Sequence, residues 1–128
     1  GVVLGRKNRV AVDSLLQVQG FENIFVIGDA ADTPYSGLAQ TALYDGAFVA
    51  QVLQYKIAGK KIAAYVPKPT AFNIGVGPRW SVMMIGKLVL FGIIPHTLRT
   101  LIDMNFFASI ISLRKTFALF FTKKSLND

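Results

Sequence analysis

The chain has 128 residues, no cysteine, one histidine and a formal net charge of +7. That is the length of one domain able to bury a real core. The missing cysteines exclude disulfides, thiolate metal sites and thiol catalysis within these residues, and His96 alone cannot build a histidine metal cluster, so no metal site is expected. It begins at Gly1 with no secretory or transit-type pattern.

The apolar fraction of 52% and mean hydropathy of +0.45 are high for a solvated small domain. Charge divides unevenly: residues 1–59 carry four Lys/Arg against five acids, and residues 60–128 carry ten against two. A basic and apolar half suggests an anionic membrane before nucleic acid, or packing against other protein.

In chain order, residues 10–18 hold two short β-type runs with a turn at Asp13-Ser14. Asn23–Ile27 is a continuous apolar run, which predicts a strand covered on both faces. A loop over Asp29–Gly37 follows, with Pro34 and Gly37 in it. Leu38 to about Ile57 has helical periodicity, and Gly59-Lys60-Lys61 supplies its stop. Pro67 and Pro69 force an extended crossing at 64–69. Thr70–Ile74, Trp80–Ile85 and Lys87–Phe91 read as an antiparallel meander. Pro95 is expected to break the chain before a mostly helical stretch from His96 to Phe121.

Within that stretch, residues 104–121 predict an amphipathic helix. Met104, Phe106, Phe107, Ile110, Ile111, Phe117, Phe120 and Phe121 make up the apolar stripe, and Asn105, Ser109, Ser112 and Thr116 line the opposite face. Arg114-Lys115 interrupts the stripe, which argues against a membrane span. Packing against protein is favoured over a helix lying in a membrane interface.

The chemistry concentrates at Gly28-Asp29, where a carboxylate follows an apolar run and a helix N-terminus lies just beyond. Open α/β sheets bind nucleotide-type cofactors at such a place. Gly28 permits close approach, an ionised Asp29 can hold ribose or ribityl hydroxyls, and the helix start offers unpaired N–H groups. A common turn is the plain alternative for Gly28-Asp29, and Asp32 and Thr33 read as loop residues.

The run Phe25-Val26-Ile27-Gly28-Asp29 resembles the second flavin-binding fingerprint of the two-dinucleotide-domain flavoprotein oxidoreductases. The lead-in from Val12-Asp13 to Phe25 resembles type II NADH dehydrogenases and apoptosis-inducing-factor-like proteins. Residues 64–92 look like the small C-terminal domain of the ferroptosis-suppressor type. This resemblance implies an α/β chain that is the C-terminal fragment of such a flavoprotein. Residues 1–62 would end its FAD-binding Rossmann-like domain, and 63–128 would form a small α+β domain with a helical tail.

It implies FAD and NAD(P)H as cofactors and a quinone-like electron acceptor. Cofactor binding would fall to Gly28, Asp29, Leu38, Ala39 and Gln40, with no catalytic residue here. Gln40 matches an Ala-Gln pair near flavin and quinone in the type II NADH dehydrogenases, but their second Gln, four residues on, is Tyr44 here. No Gly-x-Gly-x-x-Gly follows a strand. With no initiator Met, a fragment inactive by itself is expected. Localisation would be intracellular, cytoplasmic or mitochondrial, with membrane association as an option. The competing reading is a non-enzymatic membrane- or protein-interaction module in the basic, aromatic half. Nucleic acid is not expected, because the cations are scattered rather than clustered. His96, with no carboxylate nearby in sequence, reads as structural.

Overall fold

The computed structural model describes residues 1–121. Among them the chain is mixed α/β, with a three-stranded antiparallel sheet and three α-helices. It divides into two compact units, Gly1–Thr70 and a second from Ala71 on.

In the first unit the β-type runs form isolated bridges: Leu4 with Val10, Val10 with Ala31, Val12 with Val18 and Gln17 with Phe25. The strand expected over Asn23–Ile27, covered on both faces, is therefore corrected. Val18 N–H donates to Ile24 O at 2.8 Å and Val26 N–H to Leu16 O at 3.1 Å, while Ile24 and Ile27 stay exposed. The reason is local pairing. In its backbone hydrogen bonds the run pairs with the turn-forming 16–18 segment alone; Lys56 lies over the Phe25 ring, and Ile24 and Ile27 face outward. That segment is shaped by Asp13, whose carboxylate accepts the N–H groups of Leu15 (2.8 Å) and Gln17 (2.9 Å).

Helix α1 is Ala39–Ile57. It ends at Gly59, whose φ of +63° is left-handed. Lys60 N–H reaches back to Tyr55 O at 2.9 Å and Gly59 N–H to Lys56 O at 3.3 Å. These bonds satisfy carbonyls the helix leaves open, so the stop read at Gly59 works as expected. The buried face of α1 is Thr41, Asp45 and Val52, and Leu43, Leu53 and Ile57 point outward. The extended 64–69 segment belongs to this unit. Tyr65 N–H donates to Ser14 O at 2.7 Å, and its ring lies 5.0 Å from that of Phe48.

In the second unit β1 (Phe72–Gly77), β2 (Trp80–Ile85) and β3 (Leu88–Gly92) form the expected meander in the order β1-β2-β3. Alternation along β2 buries Ser81 and Met83 and leaves Trp80 and Met84 exposed. Helix α2, Ile93–Ile110, packs on this sheet. Asn73 Nδ2 of β1 donates to Pro95 O at 2.9 Å, tying the two together. Pro95 does not break the chain: it is buried in the first turn of α2. A first-turn residue has no intrahelical acceptor for its N–H, so Pro loses nothing there. His96 is half-buried in the same turn.

The single amphipathic helix expected over 104–121 is likewise corrected. It breaks at Ile111-Ser112, and α3, Leu113–Phe121, is a separate helix. Ser112 O takes both Thr116 N–H (3.0 Å) and Thr116 Oγ1 (3.3 Å), and Thr116 is buried rather than on a solvated polar face. Among the described residues no helix is long and apolar enough to cross a membrane.

Candidate functional site

Gly28 opens a single 3-10 turn, Gly28–Ala30, with φ +63°. It is buried, and a Cβ built on it would lie 3.0 Å from Ala42 Cβ. Its missing side chain therefore lets the turn press on α1. Asp29 comes next and is exposed, while its carbonyl accepts Arg9 Nε at 2.9 Å.

Leu38 precedes α1 with extended backbone, and no side chain caps the helix there. The first helical bond runs from Ala42 N–H to Leu38 O at 3.1 Å. The N–H groups of Leu38, Ala39 and Gln40 thus have no partner within the helix. Ala39 and Gln40 are exposed, and Gln40 Nε2 donates to Tyr44 Oη at 2.9 Å. Through Gly28 against Ala42, the structure brings Gly28-Asp29 together with the first turns of α1. Each of the five residues read from sequence lies on one or other of these two pieces.

Several residues at this place escaped the sequence reading. Asp45 is fully buried in the middle of α1, and its Oδ2 accepts Gly28 N–H at 2.9 Å. Its Oδ1 accepts the hydroxyl of Tyr65. One carboxylate thus ties the Gly28 turn, the helix and the 64–69 segment. Burial, then hydrogen bonding to Asp45 and its negative charge, push the Tyr65 phenol far above its ordinary range. Thr41, also buried, has a hydroxyl with no hydrogen-bond partner. Arg9 adds a cation: besides holding Asp29 O, its guanidinium lies against Gly37, 3.3 Å from where a Cβ would stand.

The signal for Asp45 was present. It is the one acid in α1, spaced four residues from Thr41 and seven from Val52, on the face that is buried. A carboxylate on a buried face needs buried donors. Arg9 and Tyr65 carry no comparable local signal, because their roles depend on which distant backbone they meet.

Asp32 is more than a loop residue. Its Oδ2 accepts Arg6 N–H at 3.0 Å, and its Oδ1 lies 2.9 Å from both Arg6 Nε and Nη2. The Arg6 backbone N–H first, then its side chain, hold this carboxyl below the usual carboxylate range, with Arg9 adding to the effect. Thr33 N–H donates to Ser36 Oγ at 3.0 Å and the two hydroxyls lie 2.8 Å apart, which closes the loop into α1.

No family model matches the chain. Over 87 residues, 66% of its length, the chain is 31% identical to "Apoptosis-inducing factor homolog A" of Dictyostelium discoideum. It spans 21% of that relative, about a fifth.

Proposed function

We propose that the chain is the C-terminal part of a FAD-dependent NAD(P)H oxidoreductase. FAD, when bound, supplies the acceptance of hydride from the nicotinamide and the passing of electrons to a quinone-like acceptor. The observation that carries the reading is the Gly28-Asp29 turn pressed onto α1 beside that helix's uncapped N-terminus. The partial identity with the Dictyostelium protein, and that protein's name, support it.

The residues fit such a group. Asp29 is an exposed, acceptor-only carboxylate suited to ribityl hydroxyls. The N–H groups of Leu38, Ala39 and Gln40, the positive end of α1 and Arg9 together favour an electron-rich edge, which is where negative charge develops on reduction. Asp45 holds Gly28 in place, and so sets where Asp29 stands. Gln40 and the neighbouring Tyr44 form a hydrogen-bonded pair beside the helix start. That pair would meet an acceptor with a phenol where the resembled enzymes have an amide. None of these side chains is needed as an acid or base, since binding and electrostatics are their contribution.

The test is to purify the protein together with the residues encoded upstream of Gly1, if the gene supplies them. The expected product carries flavin and reduces a soluble quinone analogue with NADH or NADPH. Colourless protein that takes up no added FAD would overturn the proposal.

A further inference from the structure

Between α1 and the extended 64–69 segment the first unit holds a cavity of about 390 Å³. That volume is within the range of small-molecule sites, and its walls include neither Gly28 nor Asp29. Three rings line it. Tyr44 and Phe48 stand one turn apart on α1, and Tyr65 faces them from the other side, its ring 5.0 Å from that of Phe48. Ala47 and Ala64 also line it, and their short side chains leave the space between the rings open.

Two donors in these walls have no acceptor among the described residues. Tyr44 accepts Gln40 Nε2 at 2.9 Å and so keeps its own O–H to give. Lys68 Nζ stands 5.3 Å from the centre of the Tyr44 ring, and no carboxylate pairs with it among the described residues. The other polar side chains are spent. Gln51 gives its Nε2 to Tyr55 Oη at 3.1 Å, and Tyr65 gives its hydroxyl to Asp45. Asp45 is fully buried, so it presents no oxygen to the cavity. Both free donors belong to one place, since the ammonium lies over the ring that bears the hydroxyl. Pro67 and Pro69 flank Lys68 and stiffen its backbone, so little freedom is lost when the cation meets a ligand. Aromatic walls with a cation and a free hydroxyl at one side select a flat apolar body bearing an anionic group.

We propose that this cavity binds an aryl carboxylate. Its rings lie against Phe48 and Tyr65, and its carboxylate accepts from Lys68 Nζ and the Tyr44 hydroxyl. The inference stands apart from the flavin reading, because it needs no residue outside this chain and its assay contains no flavin.

The test is calorimetric titration of the 128-residue chain with 2-naphthoate and, in parallel, with 2-naphthamide, which has the same rings and no charge. The acid is expected to bind with a Kd on the order of 0.1–1 mM. It should bind about fivefold more tightly than the amide, the scale of an exposed ion pair, and salt should shrink that margin. Lys68→Met keeps an apolar stem and should bring the acid down to the affinity of the amide. Ala47→Phe should fill the cavity and abolish binding of both probes, with circular dichroism unchanged because Ala47 is exposed. Should Ala47→Phe lose helix, the Lys68→Met comparison decides alone. Absence of acid binding, equal binding of acid and amide, or a margin kept in Lys68→Met would each overturn the proposal. So would unaltered binding by a folded Ala47→Phe variant, which would put the probe on another surface.

Discussion

Replacing Tyr65 with Phe removes one hydroxyl and leaves the ring that packs on Phe48. Asp45, fully buried, would keep only the Gly28 N–H at 2.9 Å. A hydrogen bond to a charged group contributes about 1.5–3 kcal/mol, and a buried acceptor stripped of its donor is left unsolvated. The expected loss is therefore about 2 kcal/mol, or a fall in Tm of ~8–16 °C for a unit of this size. Urea unfolding followed by circular dichroism, which reads α1, measures it. The pH dependence separates this bond from general packing. The Tyr65 phenol is raised in the folded state, so its contribution is complete below the unfolded value of about 10 and declines as pH rises beyond it. Wild type should lose stability above that pH more steeply than Tyr65→Phe does. In a double-mutant cycle Asp45→Asn should couple to Tyr65→Phe. A Tyr65→Phe variant within ~0.5 kcal/mol of wild type, or with an unaltered alkaline limb, would refute the reasoning.

Other expectations concern the two glycines and the acid limb. Gly28→Ala meets both a left-handed φ and a methyl 3.0 Å from Ala42, whereas Gly59→Ala has the same φ but open space around its Cβ. Gly59→Ala should cost ~1–2 kcal/mol and Gly28→Ala clearly more, as read by urea midpoints; equal costs would contradict the packing described for Gly28. The depressed Asp32 carboxyl contributes stability that is present above its unfolded value of about 4 and is lost as pH falls through its folded value. Arg6→Gln keeps the backbone N–H and removes the guanidinium, so it should reduce that part of the acid dependence without abolishing it, and an unchanged acid limb in thermal melts would count against the Arg6 side-chain contact with Asp32.

Elements governed by local chemistry were legible in the sequence. Gly59 announced the end of α1, and punctuation at Gly77-Pro78 and Gly86 gave the meander. Where a reading depended on what covers a run, or on where a helix starts or breaks, it failed. The apolar run Asn23–Ile27 looks like a sheet interior, yet in this chain it pairs only with residues 16–18. Pro95 was read as a breaker because proline in a helix interior is costly, but its position in the first turn of α2 avoids that cost. In the tail Arg114-Lys115 drew attention, although the break lies at Ile111-Ser112. For the candidate site, the exposed residue Asp29 and the helix start were visible as a motif. Of the supporting shell only Asp45 left a signal, on the buried face of α1; Arg9 and Tyr65 left none, because they meet their partners twenty or more residues away.

The central claim is that the Gly28-Asp29 turn and the start of α1 form one wall of a flavin site. The most direct test compares FAD affinity of the upstream-extended protein with that of its Asp29→Ala variant. Asp29 is exposed and only its backbone carbonyl holds Arg9, so the substitution should leave folding intact. Loss of charge-assisted bonds to the ribityl hydroxyls predicts affinity weaker by ~10–100-fold. Equal FAD affinity in the two proteins, with both folded, would contradict the claim.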